Sequence, residues 1–301
     1  VAACVRAAWL ELEGLTVQLH DEGAGHFVTA LDLGSPEVRE VVNNRPDADG
    51  IDDRTQYLGG RVVSCEVTAL ESAGATVDAV ADLFAPFMMP NVRPTLHYVL
   101  DRPGLPERTL VVRAQSYHWV VDVPEQRDYQ MVWVAADPIA RGATAQTKVA
   151  YAGTAGLVGR SYNWTPNRVY PAGASPAQPV ILNTPGVVPV GPLLRIYGPI
   201  TAANAKLVVA ATGAPAGCIP LVGSYTIDAG HFVEADCDAQ TVTLDGNPAQ
   251  SVLTSINWTA MAAGGGWPTL LPRTDMRLTL AGSSTSTATQ VVATWTDGYL
   301  S

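Results

Sequence analysis

Residues 61–70 read Arg-Val-Val-Ser-Cys-Glu-Val-Thr-Ala-Leu, with Val63, Cys65, Val67 and Ala69 two residues apart. A strand sends successive side chains to opposite faces, so this alternation predicts a strand with one buried face. The same period recurs nearby. Leu10 and Leu12, then Val17 and Leu19, flank Gly14 as in a hairpin. Val28 to Gly34 reads as a further strand, stopped by Gly34 and Pro36. Thr95 to Leu100 and Thr109 to Ala114 form a long hairpin around Pro103-Gly104, and Tyr129 to Ala136 closes on Asp137-Pro138. One stretch follows the helical period instead. Val77, Val80, Ala81 and Phe84 share a face, Asp78 suits the first turn, and Pro86 and Pro90 end the run.

From about 150 to 192 the texture changes. Gly153, Gly156, Gly159, Gly173, Pro166, Pro171, Pro176, Pro179, Pro185, Pro189 and Pro192 crowd together. This predicts a linker over 148–179 between a domain at 1–147 and another at 180–301, and 301 residues suit two domains. The linker is expected to be open to proteases. Beyond it, short apolar stretches recur: Leu193–Tyr197, Ala205–Ala210, Gly223–Asp228, Thr241–Leu244, Met276–Leu280 and Gln290–Trp295. Asp245-Gly246-Asn247-Pro248 is a turn, and no helix pattern appears in this half. The spacing predicts a β-sandwich.

Composition excludes several classes. The net charge is −10, with no basic cluster of the kind that phosphate binding needs. No run of apolar residues is long enough to cross a membrane as a helix, and no signal peptide is evident. Cys4, Cys65, Cys218 and Cys237 form no CxxC pair, so the expectation is small buried hydrophobes and not zinc ligands. Lys148 and Lys206 are the only lysines against sixteen arginines, which reads as the codon bias of a GC-rich genome.

Candidate chemistry is sparse. The glycines at 153, 156 and 159 lack GxGxxG spacing, and neither a GxxxxGK[ST] loop nor a GxSxG elbow occurs. Gly282 to Ser286 is a polar loop without a base near it in sequence. His231, Glu234 and Asp236 carry metal-ligating groups, but alternation puts His231 and Glu234 on opposite faces of a strand. His20, Asp21, Glu22 and His26 read as a solvated turn, and His97 and His118 sit in strand-like runs. Trp164, Trp258, Trp267 and Trp295 suit a sugar-stacking platform or a core. Asp52, Asp53 and Arg61 lie in an acidic turn entering a strand, where the arginine fork fits bracing as well as substrate binding. No catalytic, cofactor-binding or metal residue is assigned, no cofactor is expected, and the chain reads as no enzyme.

The order of certain short runs adds a resemblance. Leu31-Asp-Leu-Gly-Ser-Pro-Glu-Val-Arg-Glu40 is followed by Asp49-Gly50, Asp52, Thr55 and Gly59-Gly-Arg-Val-Val63. Trp133 to Pro138, the hairpin from Gly223 to Asp228 through Asp245-Gly246, and Val291 to Ser301 come later. Together they resemble the distal tail proteins, or minor tail proteins, of long-tailed (siphovirus-type) bacteriophages. Thr296 stands where that family often has Arg. The resemblance implies a mainly β chain: an N-terminal ring-forming domain with one helix, then a galectin-like β-sandwich. It implies a hexameric ring at the distal end of the tail tube in the virion, here in a phage of a GC-rich actinobacterial host. The implied partners are the chain itself, the major tail tube protein, the tape-measure protein, the tail-tip hub protein and receptor-binding proteins, with no specific nucleic acid and no membrane insertion. The N-terminal half, with Arg54, Arg61, Arg93, Arg102, Arg108 and Arg113, is expected to carry self-association. A carbohydrate-binding adhesin is the alternative, and a cell-wall hydrolase the more distant one.

Overall fold

The structure, a computed structural model, describes residues 5–39, 43–44, 51–52, 57–71, 76–102, 104–123, 125–152, 154–158, 173–175, 177–283 and 289–300. The chain forms two compact units: Val1–Thr144 with Tyr299–Ser301, and Ala145–Gly298.

The first unit contains β1 (Val5–Leu12), β2 (Leu15–Gln18), β3 (His26–Asp32), β4 (Arg61–Leu70), helix α1 (Val77–Phe84), β5 (Thr95–Leu100), β6 (Arg108–Val111), β7 (Arg113–Val123), β8 (Gln126–Ala135) and β9 (Ala140–Gly142). The second contains β10 (Gln146–Tyr151), β11 (Val180–Leu182), β12 (Leu193–Tyr197), β13 (Ile200–Val209), β14 (Pro215–Pro220), β15 (Phe232–Asp236), β16 (Thr241–Leu244), α2 (Trp258–Ala263), β17 (Met276–Ser283) and β18 (Gln290–Trp295). A last short strand, β19 (Gly298–Tyr299), carries the chain back to the first unit.

In the first unit one sheet runs β2-β1-β5-β6-β9-β19 and the other β7-β8-β4-β3. The period of two in β4 sets the core. Val63, Cys65, Val67 and Ala69 are fully buried, as the alternation predicts. β8 lies antiparallel to β4 with Trp133 opposite Val63, Met131 opposite Cys65 and Tyr129 opposite Val67. Those three are fully buried too, and they share one core with Leu10, Leu96, Tyr98 and Leu110 of the other sheet. Helix α1 adds Val77, Val80 and Phe84 to that core. Its N-cap is Thr76, whose Oγ1 accepts from Ala79 N at 3.2 Å. The Tyr129 hydroxyl donates to Val77 O at 2.8 Å, which satisfies a phenol that would otherwise be buried unpaired. Gly34 is obligatory where the chain leaves β3: φ is +60°, and a Cβ would lie 2.0 Å from Val62 O.

The second unit packs two sheets, β10-β18-β12-β15-β16 and β11-β17-β13-β14. Ile196, Val233, Val291 and Ala293 of the first meet Leu182, Leu207, Leu278 and Ile219 of the second in one core. This is a sandwich, as the spacing predicts. Three expectations change. Residues 258–263 form α2, with Asn257 capping Ala260 N at 3.1 Å; a helix of one to two turns is too short to write a period. Pro215–Pro220 and Phe232–Asp236 are strands that were not among the apolar stretches read from the sequence.

The third change concerns the linker expected over 148–179. β10 pairs along its whole length with β18, from Gln146↔Trp295 to Tyr151↔Gln290, and Ala150 and Ala152 enter the core. Thr154–Val158 pairs with Gly173–Ser175, and Gln178 bridges Tyr151. Residues 159–172 lie outside the described residues. Glycine and proline mark irregular backbone, but strands with alanine at core positions are hard to see among them.

A fragment of residues 145–298 is therefore expected to unfold in one cooperative transition. A fragment of residues 180–301 lacks β10 and is expected to bind the dye ANS and melt without cooperativity. Equal cooperativity of the two, by calorimetry, would restore the boundary at 180.

Candidate functional site

Among the described residues, the candidates singled out from the sequence are each engaged separately. His231 Nδ1 donates to Asp245 Oδ2 at 2.6 Å, Glu234 Oε2 accepts from Arg195 Nε at 2.6 Å, and Asp236 Oδ1 accepts from Ala239 N at 2.9 Å. Each group of that acidic stretch serves its own strand or turn. Asp21 Oδ1 accepts from Ala24 N at 3.1 Å, and His20 lies 3.8 Å from Glu22, which makes the expected turn. His26 differs: it is 1% exposed, donates from Nε2 to Gln18 O at 2.9 Å and meets Phe84 edge-on. His97 stacks on Trp9 and bridges Glu107 at 2.8 Å and Glu11 at 3.2 Å, while His118 is exposed. Among the described residues no cluster of His, Cys, Asp and Glu is arranged to hold a metal ion. Cys65, Cys218 and Cys237 are buried free thiols, and burial pushes Cys65 up to about 12. Cys4, Asp53, Trp164 and Ser284 to Ser286 fall outside the described residues.

Arg61 braces. It is fully buried, and its Nη2 donates to the carbonyl of Leu300. Arg108, 5% exposed, sets its guanidinium 4.2 Å from the centre of the Tyr299 ring. The buried Tyr98 phenol faces both arginines without a hydrogen bond of standard geometry; burial raises its pKa, against the pull of Arg108 and Arg61. Burial lowers the pKa of Arg61, and the Tyr98 side chain opposes that shift. A cation over an aromatic face, out of water, contributes about 2 kcal/mol, and a hydrogen bond from a charged donor about 1.5–3 kcal/mol. Both act on the segment that returns at the end of the chain. Here the fork holds backbone of its own unit.

What remains unsatisfied is sheet edge. β7 pairs only with β8, and β3 only with β4, among the described residues. β7 is 11 residues long, and on it Trp119 is 55% and Val120 63% exposed. Arg127 lies 5.3 Å from the Trp119 ring and pairs with Asp78 at 2.7 Å. The sequence reading ended one strand at Ala114 and began the next at Tyr129, so it missed this edge. A signal was present in Tyr117, Trp119, Val121 and Val123, but the ladder has irregularities at Ala114/Ser116 and Trp119/Val121. Such breaks shift the faces and blur an alternating pattern.

In the second unit Trp258 is 51% exposed and meets Trp267 edge-on, with ring centres 6.5 Å apart, while Trp295 is buried.

A scan of protein-family models and a search of curated proteins return no match. Among solved structures the chain is similar to the Dit protein of phage SPP1, described as a paradigm of the hub adsorption apparatus in phages that infect Gram-positive bacteria. The similarity covers 97% of this chain and 98% of that one, at 11% identity and a TM-score of 0.59. The two share a fold, and this chain is mainly β accordingly. A chain of the phage P2 baseplate in its activated conformation aligns over 96% of this chain and 97% of that one, at 9% identity and a TM-score of 0.45.

The His231–Asp245 pair makes a pH prediction. The hydrogen bond to Asp245 raises His231 above its ordinary 6.5. Asp245 is held below its ordinary 3.8, chiefly by the Phe232 N–H and then by His231. A raised base contributes stability below its unfolded pKa and loses it as pH rises through the folded one; a depressed acid contributes above its unfolded pKa and loses it as pH falls. The pair therefore contributes fully between about pH 4 and 6.5. In an NMR titration His231 is expected to have its midpoint above 6.5 and to move down in Asp245→Asn. A midpoint unchanged by that substitution would contradict the assignment.

Proposed function

We propose that the chain is the distal tail protein of a long-tailed phage, a structural virion protein that forms a hexameric ring at the end of the tail tube. The observation that carries this reading is a fold shared with SPP1 Dit over 97% of the chain. The first unit is the ring subunit, and the second, a galectin-like sandwich, faces outward. The ring joins the tube and tape-measure proteins to the tail-tip hub and to receptor-binding proteins. Its role is positional, with no reaction assigned to any residue.

The edges of the first unit support the ring. A long edge strand with exposed apolar side chains invites sheet pairing and is a hazard in a protein that works alone. In a ring, one copy's edge meets a different edge of the next, and the contact repeats until it closes. β7 and β3, at opposite ends of one sheet, provide such a pair of unlike edges.

A second reading rests on Trp258 and Trp267, whose exposed aromatic corner suits stacking on a sugar ring. A glycan array probed with residues 145–298 separates it from the first: binding lost in Trp258→Ala supports an adhesin role for the second unit.

Val120→Lys places a charge on the edge strand and touches no core residue. The soluble chain is expected to keep its stability within about 0.5 kcal/mol. Phage carrying the substitution are expected to lack finished tail tips. Normal tails in electron micrographs would contradict the edge contact.

A further inference from the structure

Two cations meet at one end of the first core. Arg61 opens β4 and keeps the inward parity of Val63, Cys65 and Val67, so alternation sends its side chain into the core. Arg108 opens β6 opposite Tyr98 of β5, and both are buried with Leu96 and Leu110 of the same sheet. Each sheet thus brings one guanidinium to the same place, close enough for Arg108 to act against the charge on Arg61.

Neither guanidinium has the partners that burial calls for. Nε and Nη1 of both are shut off from water and make no hydrogen bond, and the Tyr98 hydroxyl that faces them makes none. Arg61 Nη2 donates to the Leu300 carbonyl, and Arg108 lies over the Tyr299 ring; both partners are neutral. The ion pairs among the described residues join Arg127, Arg141 and Arg195 to carboxylates and leave Arg61 and Arg108 without one. Burial chiefly, then Arg108, weighs against the charge on Arg61, and Asp137 favours it by less than Arg108 opposes it. Asp137 is committed elsewhere, to Ile139 N at 3.0 Å and to Arg141 at 3.5 Å. Burial also keeps the Tyr98 phenol in its neutral form, so it brings a hydroxyl and no charge.

Buried charges are ordinarily paired, because nothing else replaces the water they lose. A guanidinium cannot escape that cost by giving up its proton. Water can satisfy buried N–H groups but brings no counter-charge. The chemistry calls for a compact acceptor that carries negative charge and no hydrogen.

We infer that Arg61, Arg108 and Tyr98 hold a chloride-sized inorganic anion. Its donors are drawn from Nε and Nη1 of the two guanidinia and from the Tyr98 hydroxyl. The site lies where the last strand docks on the first unit, since the same arginines hold Tyr299 and Leu300. An anion that offsets the two charges ties β19 to the sheet, and a ligand bound only by the folded chain raises its stability.

The test uses the full-length chain. Its thermal midpoint is expected to be a few degrees higher in sodium chloride than in sodium gluconate of equal ionic strength, because gluconate is too large for a buried site. That difference is expected to fall by more than half in Arg108→Gln, which removes one charge and keeps a hydrogen-bonding side chain. Equal midpoints in the two salts overturn the inference. So does an undiminished difference in folded Arg108→Gln, because the effect is then a general action of salt. Crystals grown in sodium bromide need no substitution, and an anomalous bromide peak is expected in contact with both guanidinia. A protein carboxylate there, or density without anomalous signal, overturns the inference. A bromide peak without a chloride-dependent midpoint marks an adventitious ion only and overturns it as well.

Discussion

The chain leaves the first unit at Thr144 and comes back to it at Tyr299, and that double crossing shapes the rest of the structure. An inserted unit must bring its two ends together, and here the ends are tied. Gln146 Nε2 donates to both oxygens of Asp297, at 3.1 and 3.0 Å, and Thr184 Oγ1 donates to Oδ1 at 2.8 Å. Asp297 is 8% exposed and Thr184 fully buried. Each hydrogen bond to a buried charge is worth about 1.5–3 kcal/mol. The adjacent strands β10 and β18 continue the tie, with Gln146 opposite Trp295. The last residues then reach the first unit, where Arg108 covers Tyr299 and Arg61 takes the Leu300 carbonyl.

That arrangement separates two jobs. The cores are satisfied internally: β4 and β8 bury alternate residues against the six-stranded sheet, and the second unit buries both sheet faces on each other. On the first unit the edges of β7 and β3 stay open among the described residues. Open strand edges are a liability in a lone subunit and useful in one that repeats around an axis.

Much of the fold was legible because its signals are local. Val63 to Ala69 wrote a strand face, Val77 to Phe84 a helix face, and Leu193–Tyr197, Thr241–Leu244 and Gln290–Trp295 match observed strands residue for residue. Arg61 was legible as a fork suited to bracing or to substrate alike; its partner, 239 residues away, was not. Long-range pairings leave no local mark, which is also why β10 was read as linker and the return of Tyr299 went unseen. The edge strand was hidden by two ladder irregularities, and α2 by its shortness.

The measurement that tests the account most directly is an electron cryo-microscopy reconstruction of the assembled tail tip. The account predicts six copies with residues 5–144 and Tyr299 forming the ring around the tube axis, and residues 145–298 facing outward. A ring whose axis is lined by residues 145–298, or a position away from the end of the tube, would contradict it.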